Sequence, residues 1–284
     1  MGFAFEAHED LNLDTFGRID VFDAIVADRV RLHFRPVDCA ALYLPPSVAG
    51  RAGVLVNELH PLALQRYSAA HEYGHHVLGH GEQIDREAEP SGSGATLPPH
   101  EMLAEAFAAW FLMPPEAVDV ALGLLGLEEA ATAADAYALS LRLGTSFRAT
   151  CNRVSQLNRW RDESPKRLKE ELLTTPPPGG WRHDAWLLTV RDTDAKVVAR
   201  CGDTLLVLLP GWDVDSIPDG ALAELVPGPD LLTPPHWRID LPPALPAGPA
   251  SIVLREASST LSFDLRLERP HAGRYVPTPR SLHS

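Results

Sequence analysis

Two histidines four residues apart, His71 and His75, enclose an acid in the run Ala69-Ala70-His71-Glu72-Tyr73-Gly74-His75-His76. On a helix that spacing puts both imidazoles on one face, one turn apart, where they can share a tetrahedral Zn²⁺. Glu72, beside the first of them, then stands where a general base can reach a metal-bound water without itself ligating. Zn²⁺ lowers the pKa of its water towards about 7, Glu72 takes the proton, and the hydroxide attacks a carbonyl polarised by the same metal. The proton then passes from Glu72 to the leaving amine.

A hydrolytic zinc needs a third protein ligand. Glu101 and Glu105 are four apart in a second stretch free of Pro and Gly, with Glu101 26 residues beyond His75. They share a helix face. Glu101 is the expected ligand, with His100 and Glu105 as its alternatives, and the Glu105 carboxylate is expected to accept the spare N–H of a ligating histidine and fix its tautomer. His76 points about 100° away from His75 around the helix and reads as a surface or packing residue. His80 reads as a cap on the helix end, where a partly positive imidazole is favoured. Gly74 lets another element approach the ligand helix closely.

Placing these side chains requires two helices side by side. From Leu64 to Leu78 the chain has no Pro and one Gly, and Glu101 to Met113 has neither, so both stretches suit helices. The periodic residues Phe16, Ile19, Phe22, Ile25, Val26 and Val30 predict a further helix over 15–35. Residues 41–45 and 53–57 read as short strands of a small sheet. A helical block is expected over 116–143, and a turn followed by a helix over 144–160, with Thr145 or Ser146 as N-cap, giving a helix–turn–helix-like outline. After the Pro/Gly-rich stretch at 174–181 the pattern turns strand-like, as in 185–191, 196–201, 204–209, 250–256 and 260–268. Sixteen of the 26 prolines fall after residue 170, which places a boundary near 175. The strand-like runs lack helical crossovers, so a separate, mainly antiparallel domain is expected there.

Composition bounds the partners. The 284 residues carry 25 Lys and Arg against 38 Asp and Glu, a net charge of −13, which argues against a chain that grips nucleic acid over its whole surface. Residues 142–170 run the other way, with eight basic residues and three acids, and read either as a solvated basic face or as a DNA or repressor contact. Cys39, Cys151 and Cys201 are odd in number and far apart, which excludes a disulfide framework. The first residues lack the basic and apolar regions of a secretory signal, and no apolar run is long enough to span a bilayer, so no membrane role and a cytoplasmic location are expected.

The run Arg66-Tyr67-Ser68-Ala69-Ala70-His71-Glu72-Tyr73-Gly74-His75, followed by Glu101-x-x-Ala104-x-x-Phe107-Ala108-Ala109-x-x-Leu112-Met113-Pro114, resembles the ImmA/IrrE family of zinc metallopeptidases. The resemblance covers roughly residues 15–160. It implies an α+β, gluzincin-like minimal peptidase core over 1–115, with a helix–turn–helix-like segment over 116–172. A β-rich accessory domain over 173–284 lies outside it. Glu101 matches the family's third-ligand position, whereas Glu105 stands where members usually carry Asn or Asp. Relatives cleave DNA-bound helix–turn–helix repressors, so the resemblance implies a regulatory Zn²⁺ endopeptidase acting on such a partner in a stress, DNA-damage or mobile-element response. Tyr67, one turn before His71, is the candidate donor to the transition state. Two other classes compete: a peptidase fold used as a binding module, with zinc structural or absent, and a direct DNA-binding regulator using 142–170.

Overall fold

The computed structural model describes residues 2–80, 97–160, 185–193, 196–226 and 235–269. They divide into two compact units, one formed by the described residues of 2–121 and 143–158, the other by those of 122–142 and 159–269. The architecture is mixed α and β, with three small sheets among the described residues. No single helix among them is long and apolar enough to cross a membrane.

The first unit opens with α1 (Gly2–Asp10) and α2 (Val21–Ala27), followed by β1 (Arg31–Arg35), β2 (Ala41–Leu44), the one-turn α3 (Pro46–Ala49) and β3 (Gly53–Asn57). The long helix α4 (Leu62–Val77) and α5 (Pro99–Leu112) come next. Helix α6 (Pro115–Leu124) starts in this unit and α7 (Ala133–Leu143) ends in it, and α8 (Phe147–Gln156) completes it. Strand β3 is central in the sheet, parallel to β1 and antiparallel to β2, in the order β1-β3-β2.

The helix expected over 15–35 is instead a short helix and a strand. The Asp20 carboxylate caps α2 by accepting from the Phe22 and Asp23 N–H groups, and Arg29 adopts φ 62°, a left-handed conformation that ends the helix and turns the chain into β1. Phe22 and Phe34 still meet edge-on in the core, so the apolar spacing that suggested one helix serves two elements. The block expected over 116–143 is likewise divided, into α6 and α7, around Gly126 at φ 77°. The predicted turn and helix after 144 are α8, whose N-cap is Ser146, its hydroxyl accepting from the Ala149 N–H.

Helices α4 and α5 pack face to face through small residues. Ala69, Ala70, Ala104 and Ala108 are fully buried, and the rings of Tyr73, Phe107 and Phe111 meet edge-on or stacked beside them. Helix α4 also lies on β2 and β3. Arg153 pins α8 to the end of α5: the residue is 1% exposed, its Nε–H donates to the Met113 carbonyl at 2.8 Å, and its guanidinium stacks 3.9 Å from the Trp110 ring centroid. Burial pulls its pKa down to about 10.

The second unit holds β4 (Ala185–Leu188), β5 (Lys196–Arg200), β6 (Thr204–Val207), β7 (Asp213–Ser216), β8 (Leu222–Val226), β9 (His236–Asp240), β10 (Gly248–Glu256) and β11 (Ser259–Glu268). Two four-stranded sheets, ordered β5-β11-β10-β7 and β4-β6-β9-β8, close over one core that includes Leu205, Val207, Ile239, Ile252, Leu254 and Phe263. Most pairings are antiparallel, but β4 with β6 and β5 with β11 are parallel. No helical crossover is used: β5 of the other sheet lies between β4 and β6, and strands of both sheets lie between β5 and β11. The basic character of 142–170 is partly absorbed internally: Arg142 forms a two-pronged pair with Asp192 at 2.6 and 2.8 Å, and Arg153 is buried as described. The remainder of that segment beyond residue 160, and the linker at 174–181, lie outside the described residues.

Candidate metal centre

Helix α4 presents His71 and His75 one turn apart, and α5 brings Glu101 across to both. His71 Nε2 stands 2.9 Å from Glu101 Oε2, His75 Nε2 stands 3.3 Å from Glu101 Oε1, and the two Nε2 atoms are 3.2 Å apart. Ligand atoms about 2.0–2.1 Å from a tetrahedral ion are separated by about 3.3 Å, so the three edges are those of a small-cation site with a face left open. These residues could hold one metal ion.

The electrostatics have the same sense. Burial disfavours an imidazolium at His71, but the Glu101 and Glu105 carboxylates outweigh it and bring its pKa up to about 9. Burial and the neighbouring His71 hold His75 down at about 4. The hydrogen bond with His71 keeps Glu101 below the ordinary carboxylate range. The carboxylates therefore demand positive charge between the rings, as the donor set of a divalent-cation site does.

Glu72, the neighbour of His71 on α4, is buried and lines the same cleft. Its Oε2 accepts the Tyr43 backbone N–H at 2.7 Å, so the edge of β2 aims the carboxylate. Burial pushes its pKa up to about 7 against the opposing pull of His71 and that N–H. Glu105 lies 3.5 Å from His71 Nδ1, on the ring edge away from Glu101, and accepts the Tyr67 hydroxyl at 2.7 Å. Burial works against its charge, but the hydrogen bonds from His71 and Tyr67 hold its pKa below the usual range. Burial, then the Glu105 charge, drives the Tyr67 phenol well above its normal pKa, so it remains a donor.

All six residues singled out from the sequence, His71, Glu72, His75, Glu101, Glu105 and Tyr67, are brought together. His100 sits beside Glu101, with Nε2 3.4 Å from Oε1. His76 turns away as expected, towards the Tyr43 hydroxyl at 3.1 Å and Asp28 at 3.7 Å. Two contributors were missed. The Tyr43 N–H has no side-chain signature, and the His80 ring meets His75 instead of only closing the helix end.

The centre opens into a cleft of about 860 Å³. Its apolar wall includes Leu64, Met102, Ala106 and Trp110, and its far wall is one face of α8, with Arg148, Asn152 and Gln156. Met102, next to Glu101, is 53% exposed. The cleft is large enough for several residues of an extended chain.

Residues 29–155 match the family model of the IrrE N-terminal-like domain, peptidase M78. No curated protein matches the chain. Among solved structures, a Mycobacterium tuberculosis transcriptional regulator aligns over 84% of this chain and 74% of its own, at 15% identity and a TM-score of 0.35. The matched residues contain the two histidines, both candidate carboxylates and most of the cleft's lining, and it is this stretch, residues 29–155, that belongs to the ImmA/IrrE family.

Proposed function

We propose that the first unit is a Zn²⁺-dependent endopeptidase of regulatory type, with His71, His75 and Glu101 as the metal ligands. The observation that carries this reading is the convergence of two imidazole nitrogens and a carboxylate within 3.3 Å of one another at the mouth of a peptide-sized cleft, with a buried acid beside them. Zn²⁺ bound there supplies Lewis acidity and acidifies water.

The chain's own residues do the rest. Glu72, aimed by the Tyr43 N–H, takes a proton from the attacking water and returns it to the leaving amine nitrogen. Glu105 accepts from His71 Nδ1–H and so keeps the opposite nitrogen free for the metal. Tyr67 holds Glu105 through its hydroxyl and is the candidate donor to the transition state. The wall formed by Leu64, Met102 and Trp110 excludes water and seats apolar side chains, while Arg148 favours an acidic residue farther along the substrate.

The partner we infer is a DNA-binding helix–turn–helix repressor, cut at one position, with the β-rich unit as an accessory or sensing module. The test is co-expression with helix–turn–helix proteins encoded beside this gene, with intact masses measured before and after. One discrete cut, absent with Glu72→Gln, is expected. Intact partners in every pairing would instead favour a binding module built on the peptidase fold.

A further inference from the structure

Helix α4 ends in a turn that reaches back to the metal centre. Leu78 closes the helix and Gly79 takes φ 66°. The Gly79 N–H donates to the His76 carbonyl at 3.1 Å and the His80 N–H to the His75 carbonyl at 3.0 Å. These paired bonds are the Schellman arrangement, in which the side chain after the glycine commonly folds back onto the last turn as an apolar contact. Here that side chain is an imidazole, and it lands on a candidate metal ligand. The Nδ1 atoms of His80 and His75 are 2.8 Å apart, with the ring centroids 5.0 Å apart at 60°.

Two nitrogens at that distance share one proton. His75 Nε2 faces His71 Nε2 and Glu101, so a cation there requires its lone pair, which puts the His75 proton on Nδ1. His75 Nδ1–H therefore donates, and His80 Nδ1 accepts. Each histidine ligand thus has its own orienting acceptor, the Glu105 carboxylate for His71 and a neutral ring for His75.

We infer that His80 is a positioning residue for the metal centre: the Schellman turn at Gly79 holds its Nδ1 against His75 and fixes the tautomer and ring angle with which His75 binds the ion. The inference rests on the reading that His71, His75 and Glu101 hold a divalent cation. Gly79 offers an independent handle. A Cβ there meets nothing within 4 Å, so Gly79→Ala perturbs the left-handed turn without crowding a neighbour.

The test is the Zn²⁺ affinity of the full chain, measured by competition with a chromogenic chelator at fixed pH, with circular dichroism to verify folding. His80→Phe keeps a ring but removes the acceptor and is expected to weaken binding about 10- to 100-fold. His80→Asn places an amide oxygen near the position of Nδ1 and should recover affinity to within about threefold of the parent. Gly79→Ala should weaken binding in the parent chain and add nothing in the His80→Phe chain, because both act through one contact.

Parent-like affinity in His80→Phe overturns the inference, as does an Asn variant no better than Phe. Equal losses from Gly79→Ala in both backgrounds do the same, by showing that the turn acts without His80. His75→Ala separates the underlying reading: if it leaves Zn²⁺ affinity unchanged, the ligand set itself is wrong.

Discussion

Gly74 on α4 faces Phe107 on α5 so closely that a Cβ at position 74 would stand 2.9 Å from Phe107 Cδ1 and 3.2 Å from its Cβ. The missing side chain sets the distance between the helix that carries both histidines and the helix that carries Glu101. Gly74→Ala would gain helix propensity but must push Phe107, itself stacked on Phe111, out of place. We expect a net loss of about 1–3 kcal/mol in denaturant unfolding, together with weaker metal binding because Glu101 recedes from the histidines. A stabilised variant with unchanged Zn²⁺ affinity would show that the helix spacing is not set here.

Glu101 and Glu105 lie on one helix face but differ in what they touch. Glu101→Ala removes a proposed ligand and should reduce Zn²⁺ affinity well beyond the about 10- to 100-fold expected from loss of an orienting carboxylate in Glu105→Ala. Chelator competition on both variants decides the order. The reverse order would make Glu105 the ligand.

Tyr67 can act on the transition state or only through Glu105, and kinetics separates the two. With a cleavable partner in hand, Tyr67→Phe should lower kcat about 10- to 100-fold with little change in Zn²⁺ affinity if the hydroxyl meets the developing charge. Weakened metal binding with kcat unchanged at saturating zinc would restrict Tyr67 to orienting Glu105.

Arg153 is a structural cation. Removing it as Arg153→Met leaves the Met113 carbonyl without its donor and takes the guanidinium off Trp110, at a cost of about 2–4 kcal/mol. Arg153→Lys should also destabilise, since an ammonium cannot stack and donate in the same geometry. Urea midpoints for the two variants measure this, and a Lys variant as stable as the parent would contradict it.

The candidate metal centre was legible because its main relations are local. A four-residue spacing dictates that His71 and His75 share a face once the stretch is helical, and the small residues around Gly74 announce a close neighbour. The support around it was not legible. The Tyr43 N–H belongs to a backbone whose place depends on β2 pairing with β3, and Gly79 marks a helix end without saying where the His80 ring falls. The helix expected over 15–35 failed at Arg29, because apolar periodicity carries no trace of a non-glycine residue at positive φ. The parallel pairs of the β-rich unit escaped because sequence pattern does not show which sheet a strand joins.

The most direct measurement is the zinc content per chain of protein purified without added metal, for the parent, Glu72→Gln and His75→Ala. One zinc in the parent and in Glu72→Gln, and none in His75→Ala, is the predicted result, since Glu72 is placed as a base and His75 as a ligand. One zinc retained in His75→Ala, or lost in Glu72→Gln, would contradict the assignment of His71, His75 and Glu101 as the ligand set with Glu72 outside it.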